Sequence, residues 1–108
     1  MRPYSQMSRD ELLLEIETLK QEKVRVRRQS LFSELDVIQQ KINFAKSYLV
    51  DKSTIQPHQF YQVEGEPSRF WVEDLNGIMA WGRYEGQHEQ IALPIGILTL
   101  LPNEKNPL

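Results

Sequence analysis

The sequence predicts an α+β protein, a helical hairpin followed by a small barrel or strongly bent sheet. Three observations carry that expectation. Two apolar stripes with steps of three and four occupy the first half of the chain, the spacing of helices with one buried side. Short aromatic-rich runs separated by Gly- and Pro-bearing turns occupy the second half. Between two of those runs stands Leu75-Asn76-Gly77-Ile78, and Asn-Gly between apolar runs is a strong signal for a two-residue type I′ hairpin.

The first helix should start at Ser8. Ser8-Arg9-Asp10-Glu11 fits a capping box, with Met7 and Leu12 placed as a hydrophobic staple. Leu12, Ile16, Leu19, Lys23 and Val26 then form one stripe, the aliphatic stem of Lys23 filling a slot. A second stripe runs through Leu31, Leu35, Ile38, Ile42, Ala45 and Leu49. Between them, Arg25-Val26-Arg27-Arg28-Gln29-Ser30 contains no Gly or Pro to force a break. Ser30 as cap of the second helix gives an antiparallel hairpin. Without it, the stripes fuse into one helix of roughly 60 Å that demands a partner chain. Two separately phased stripes of similar length favour the hairpin.

Pro57 closes a short polar connector. Four or five strands are expected, at residues 60–64, 69–75, 78–84 and 90–93 with a closing strand near 99–101 as the optional fifth, and one 3₁₀ turn at residues 94–98 interrupts the ladder before it. A two-residue turn at Asn76-Gly77 pairs Val72 with Trp81 and Trp71 with Gly82. That register puts Phe70, Val72, Met79 and Trp81 on one face, and Trp71, Leu75, Ile78, Ala80 and Tyr84 on the other. Both faces are then apolar, so both need cover.

Charge is uneven. Residues 1–50 hold nine Lys or Arg against seven Asp or Glu, whereas residues 51–108 hold four against eight. An acidic β half is a poor partner for a phosphate backbone. With no cysteine, disulfides and thiolate chemistry are excluded. No window approaches the ~20 apolar residues that span a bilayer and no apolar leader stands at the start, so the expected location is cytoplasmic.

Four motifs in order carry a resemblance: Tyr4-Ser5-Gln6-Met7-Ser8 with Glu11-Leu12, Ala45 with Tyr48-Leu49, Leu75-Asn76-Gly77 with Ala80-Trp81-Gly82, and Ala92-Leu93-Pro94-Ile95. Over roughly residues 4–98 the chain resembles the YfhH-like family, small uncharacterised proteins of Bacillus-type bacteria. The resemblance implies a fold, an N-terminal antiparallel helical hairpin packed on a C-terminal SH3-like small β-barrel. It implies no activity and supplies no catalytic residues, and the transcriptional-regulator label sometimes attached to such proteins is a guess. Family members carry a Gly between the helices, where this chain has Arg27-Arg28-Gln29-Ser30. The expected organisation is a hairpin at residues 1–50, a connector at 51–57, a barrel at 58–101 and a frayed tail at 102–108.

Candidate chemistry is sparse. Glu85, His88 and Glu89 offer ligand atoms, but a flexible turn rarely makes them converge, so no metal is expected. Glu73 and Asp74 point to opposite sides of a strand, and Glu64 and Glu66 flank a turn glycine, so neither pair shares a proton. No nucleophile stands beside a base, and no phosphate-cradling Gly-rich loop leads into a helix. The protein is expected not to be an enzyme, with no cofactor, no small-molecule substrate and no membrane contact. Lys20, Lys23, Arg25, Arg27 and Arg28 are the candidate nucleic-acid contacts, against the plainer reading of a solvated helix end that suits the helix dipole, with a phospholipid or acidic-protein contact as the remaining alternative. Trp71 and Tyr84 are the candidate protein contacts, against the plainer reading of core aromatics. The functional expectation is a cytoplasmic binding or regulatory module acting on a protein partner or a second copy of the chain. The alternative is an accessory nucleic-acid-binding regulator using the basic tip.

Overall fold

The computed structural model describes residues 2–101 and confirms the α+β class. The tail expected at 102–108 lies outside the described residues. The chain divides into two units, Met1–Leu49 and Val50–Leu108, each with its own apolar cluster.

In the first unit, helix α1 (Arg9–Arg28) and helix α2 (Phe32–Ser47) form the expected hairpin. The capping box is present: Ser8 Oγ accepts from the Glu11 N–H at 3.2 Å, and the Glu11 carboxylate accepts from the Ser8 N–H at 3.0 Å. Leu12, Ile16, Leu19 and Val26 of α1 bury against Ile38, Ile42 and Ala45 of α2, while Met7, Leu35 and Leu49 pack at the margin. Leu31 leaves the predicted stripe and stands exposed.

The bend differs from expectation in one respect. Ser30 does not cap α2, whose N-cap residue is Leu31 and carries no side-chain cap. Instead Ser30 ends α1 in the left-handed region at φ 59°. Its N–H donates to the Arg27 carbonyl at 3.1 Å, and the next amide, Leu31, donates to the Val26 carbonyl at 3.0 Å. That pair of bonds is a Schellman motif, the arrangement that usually employs glycine. A serine held there makes the break that the sequence, lacking Gly or Pro, does not advertise.

In the second unit, strands β1 (Gln59–Val63), β2 (Arg69–Asn76), β3 (Met79–Tyr84), β4 (Ile91–Pro94) and β5 (Leu98–Leu100) form one antiparallel sheet ordered β4-β3-β2-β1-β5. The expected 3₁₀ turn is present at Ile95–Ile97. Tyr61, Val63, Phe70, Val72, Ala80, Ile95 and Leu98 form the core of this unit. The Tyr61 hydroxyl accepts from the Gln56 N–H at 2.8 Å, which makes burial of the phenol tolerable. No helix among the described residues is long and apolar enough to cross a membrane.

The β2–β3 register corrects the predicted one. The loop is Gly77-Ile78 rather than Asn76-Gly77: Asn76 pairs with Met79, and Gly77 takes φ 60° at the first central position, as a type II′ turn requires. The ladder then shifts between Val72 and Asp74, where Glu73 is an extra residue without a partner on β3. Past this bulge Val72 opposes Gly82 and Trp71 opposes Arg83. Ala80 and Tyr84 therefore join Phe70 and Val72 on the core face, while Met79 and Trp81 lie with Trp71 on the other. A two-residue hairpin rule carries no information about a bulge several residues away.

Candidate functional site

Two turns meet at one end of the sheet. The β1–β2 turn bends at Gly65 (φ 80°) and the β3–β4 loop at Gly86 (φ 83°), both in the region that glycine adopts freely. The Glu85 N–H donates to the Arg69 carbonyl at 2.9 Å, and the Arg69 guanidinium pairs with the Glu85 carboxylate, which holds that carboxyl below its ordinary range. Between the turns lies an open pocket of about 360 Å³ lined in part by Glu66, Pro67, Ser68, Tyr84, Glu89 and Ile91. Tyr84 is fixed by an edge-on contact with Phe70, centroids 5.4 Å apart. Burial, and secondarily the Glu66 carboxylate, raises its phenol above the ordinary range. The pocket thus has a half-buried phenol and an aliphatic wall under an exposed acidic rim.

Trp71 lies elsewhere. The two candidate protein contacts were expected on one face, but the Glu73 bulge puts Trp71 on the side opposite Tyr84. Trp71 meets the Phe60 ring edge-on at 4.8 Å and lies 6.4 Å from His58. The Arg69 guanidinium sits 3.9 Å above Phe60. In the same layer Arg83 Nε donates to Glu73 at 3.2 Å, and Gln90 donates to the other Glu73 oxygen at 2.9 Å. Trp71 is half-buried, and Trp81 on the same face is exposed.

The five basic candidates do not converge as a unit. Lys23 is half-buried and donates to Gln39 of α2. At about 100° per residue, Lys20 and Arg27 fall on one flank of α1, Arg28 faces away from α2, and Arg25 falls on the other flank. Arg25 is 3.8 Å from Glu22 and donates to Gln29 at 3.1 Å. Arg25, Arg27 and Arg28 still occupy the last turn of α1, where positive charge suits the dipole.

Among the described residues no three His, Cys, Asp or Glu side chains are grouped to hold a metal. Of the residues considered, Glu85 is engaged by Arg69, and the His88 carbonyl accepts from Arg83. Sequence reasoning missed the pocket walls at Pro67, Glu89 and Ile91. A signal was available in two glycine turns, at Gly65 and Gly86, that a meander places at the same end of its sheet.

These features define a small α+β protein with a helical hairpin and a five-stranded antiparallel sheet, whose candidate sites are surfaces and a pocket. Residues 2–99 match the family described as Protein of unknown function (DUF1811), and the chain belongs to that family. It is 36% identical over 96 residues to "Uncharacterized protein YfhH" of Bacillus subtilis (strain 168), an alignment that covers 88% of this chain and 92% of that relative.

Proposed function

We propose that the protein is a non-enzymatic cytoplasmic binding or regulatory module that acts through protein–protein contact, with the pocket beside Tyr84 as its contact site. The observation that carries this reading is the pocket itself: an aromatic and aliphatic wall with a polar rim, held between two tied turns. An SH3-like barrel would account for the sheet that frames it. The edges β4 and β5 are joined by Ile95–Ile97 alone. A flat five-stranded sheet would separate its edges by roughly 19 Å. The four Cα–Cα steps from Pro94 to Leu98 reach at most about 14 Å when extended, and a 3₁₀ turn reaches less. Such a connection favours a sheet curled until its edges approach. The test is affinity capture from cell extract with wild-type protein and a Glu66→Lys, Glu89→Lys variant, whose changes lie on exposed positions. The expected result is a partner retained by wild type and by an Arg27→Glu, Arg28→Glu variant but lost from the rim variant. A partner retained equally by all three would sink the assignment of the pocket.

A second reading, an accessory nucleic-acid-binding regulator, is favoured by the exposed Arg27 and Arg28 at the end of α1. In that reading these two contact phosphates, and Lys20, Lys23 and Arg25 contribute to the field around the tip. Fluorescence anisotropy with duplex DNA and single-stranded RNA across a salt series tests it. Salt-sensitive binding that vanishes in the Arg27→Glu, Arg28→Glu variant is the expected result, and absence of binding at low salt excludes it.

A further inference from the structure

We infer that the apex of the helical hairpin is a docking site for an anionic lipid surface, with Leu31, Phe32 and Val24 entering the headgroup layer and Arg27, Arg28 and Lys20 pairing with lipid phosphates. Three large apolar side chains near the bend are open to solvent: Phe32 is 62% exposed, Val24 46% and Leu31 41%. Helical geometry gathers several of these groups. Relative to the buried stripe of α1, Lys20, Val24 and Arg27 lie on one flank and Arg28 on its outer margin. In an antiparallel pair, the corresponding flank of α2 carries Phe32. Leu31 stands at the bend itself, the residue before Phe32.

Two of the three nearest carboxylates sort to the other side. Glu22, Glu34 and Asp36 are the carboxylates nearest in sequence to the bend. Glu22 lies toward Arg25, away from the Lys20 and Arg27 flank. Glu34 falls on that same far side of α2, whereas Asp36, one helical turn on from Phe32, lies beside it toward the outer face. The flank with Phe32 therefore presents Lys20, Arg27 and, at its margin, Arg28 against the one carboxylate of Asp36, a net positive charge beside exposed apolar groups, which suits the interface of an anionic bilayer. Long arginine and lysine side chains can reach phosphates while neighbouring apolar groups sink below them.

The observations favour a lipid over a nucleic acid. Phe32 is the one ring in this group, and Leu31 and Val24 have no flat face on which a base could stack. The expected lack of membrane contact rested on the lack of a spanning segment, which does not bear on attachment from one side. This inference concerns the helical unit and stands or falls separately from the pocket beside Tyr84.

The test is co-sedimentation of the full chain with vesicles of phosphatidylcholine alone and of phosphatidylcholine mixed with phosphatidylglycerol, at low salt. Binding is expected to the mixed vesicles only, and should fall by about tenfold or more in Phe32→Ser and in Arg27→Glu, Arg28→Glu. Helical circular dichroism checks that each variant is folded, and Val24→Ser serves as a second apolar variant. Binding to neither vesicle overturns the inference, as does anionic binding unchanged by both apolar variants. Single-stranded RNA bound through the same arginines without vesicle binding would also overturn it, in favour of a nucleic acid. So would a solution dimer lost in Phe32→Ser, in favour of a second copy.

Discussion

The Leu31 amide donates to the Val26 carbonyl across Ser30, closing the end of α1 at 3.0 Å and turning the chain into α2. Ser30 bears the cost, since its φ of 59° is one that a Cβ disfavours. Ser30→Gly should therefore raise the stability of the hairpin by about 1 kcal/mol, and Ser30→Val should lower it by at least as much. Urea unfolding followed by helical circular dichroism measures both. A glycine variant less stable than wild type would mean that the serine hydroxyl contributes more than its backbone strain costs.

Gly82 is constrained differently. A Cβ at this position would overlap the Trp71 carbonyl oxygen and crowd the Val72 Cα, so β2 and β3 can approach beside the bulge only if position 82 is bare. Gly82→Ala should cost about 2–3 kcal/mol, as overpacking against backbone does. Gly77 has open space where its Cβ would stand and needs only its positive φ, so Gly77→Asn should cost well under that. Equal losses in urea melts of the two variants would contradict the close approach at Gly82.

The alkaline limb of stability should report on Tyr4. Burial and a 3.0 Å hydrogen bond to Glu15 push its phenol up to about 12 from an ordinary value near 10. Below pH 10 the phenol is neutral in both folded and unfolded chains, so Tyr4 adds no pH dependence there. Between about pH 10 and 12 the unfolded chain releases the proton while the folded one keeps it, so stability falls. Above about 12 both forms are ionised and the decline from this group ends. Absorbance titration of wild type and Tyr4→Phe should show one late-ionising tyrosine missing from the variant. An unchanged late phase would place the effect on another phenol.

Helix α1, the stripes, the first four strands and the 3₁₀ turn before β5 were legible because each rests on local pattern: a capping box, a 3.6 period, alternation and proline. The bend at Ser30 was not, because a left-handed serine has no signature distinct from an ordinary polar residue. The strand faces failed for a related reason. Bulging Glu73 serves an arrangement in which Arg83 and Gln90 both donate to it, a contact set by residues ten or more positions away. The same shift parted Trp71 from Tyr84, so the protein-contact pair was split while Tyr84 alone reached the pocket. Leu31 and Phe32 were hidden by a stripe that Leu31 fits in phase but leaves at the bend.

The two tryptophans give the sharpest check on that register. In the unbulged pairing, Trp81 would lie with Phe70 and Val72, both fully buried, and its emission would be blue and resistant to quenching. In the structure Trp81 opposes Asp74 on the outer face and is 39% exposed, while Trp71 is half-buried and in T-shaped contact with Phe60. Emission of Trp71→Phe, which retains Trp81, should therefore be the redder and the more readily quenched by acrylamide. Trp81→Phe, which retains Trp71, should emit further to the blue and resist quenching. Neither change opens a cavity in the buried core, so both variants should keep most of the wild-type stability. The reverse order of quenching would place Trp81 inside and remove the bulge at Glu73. It would also return Tyr84 to the face of Trp71, taking with it the wall of the pocket.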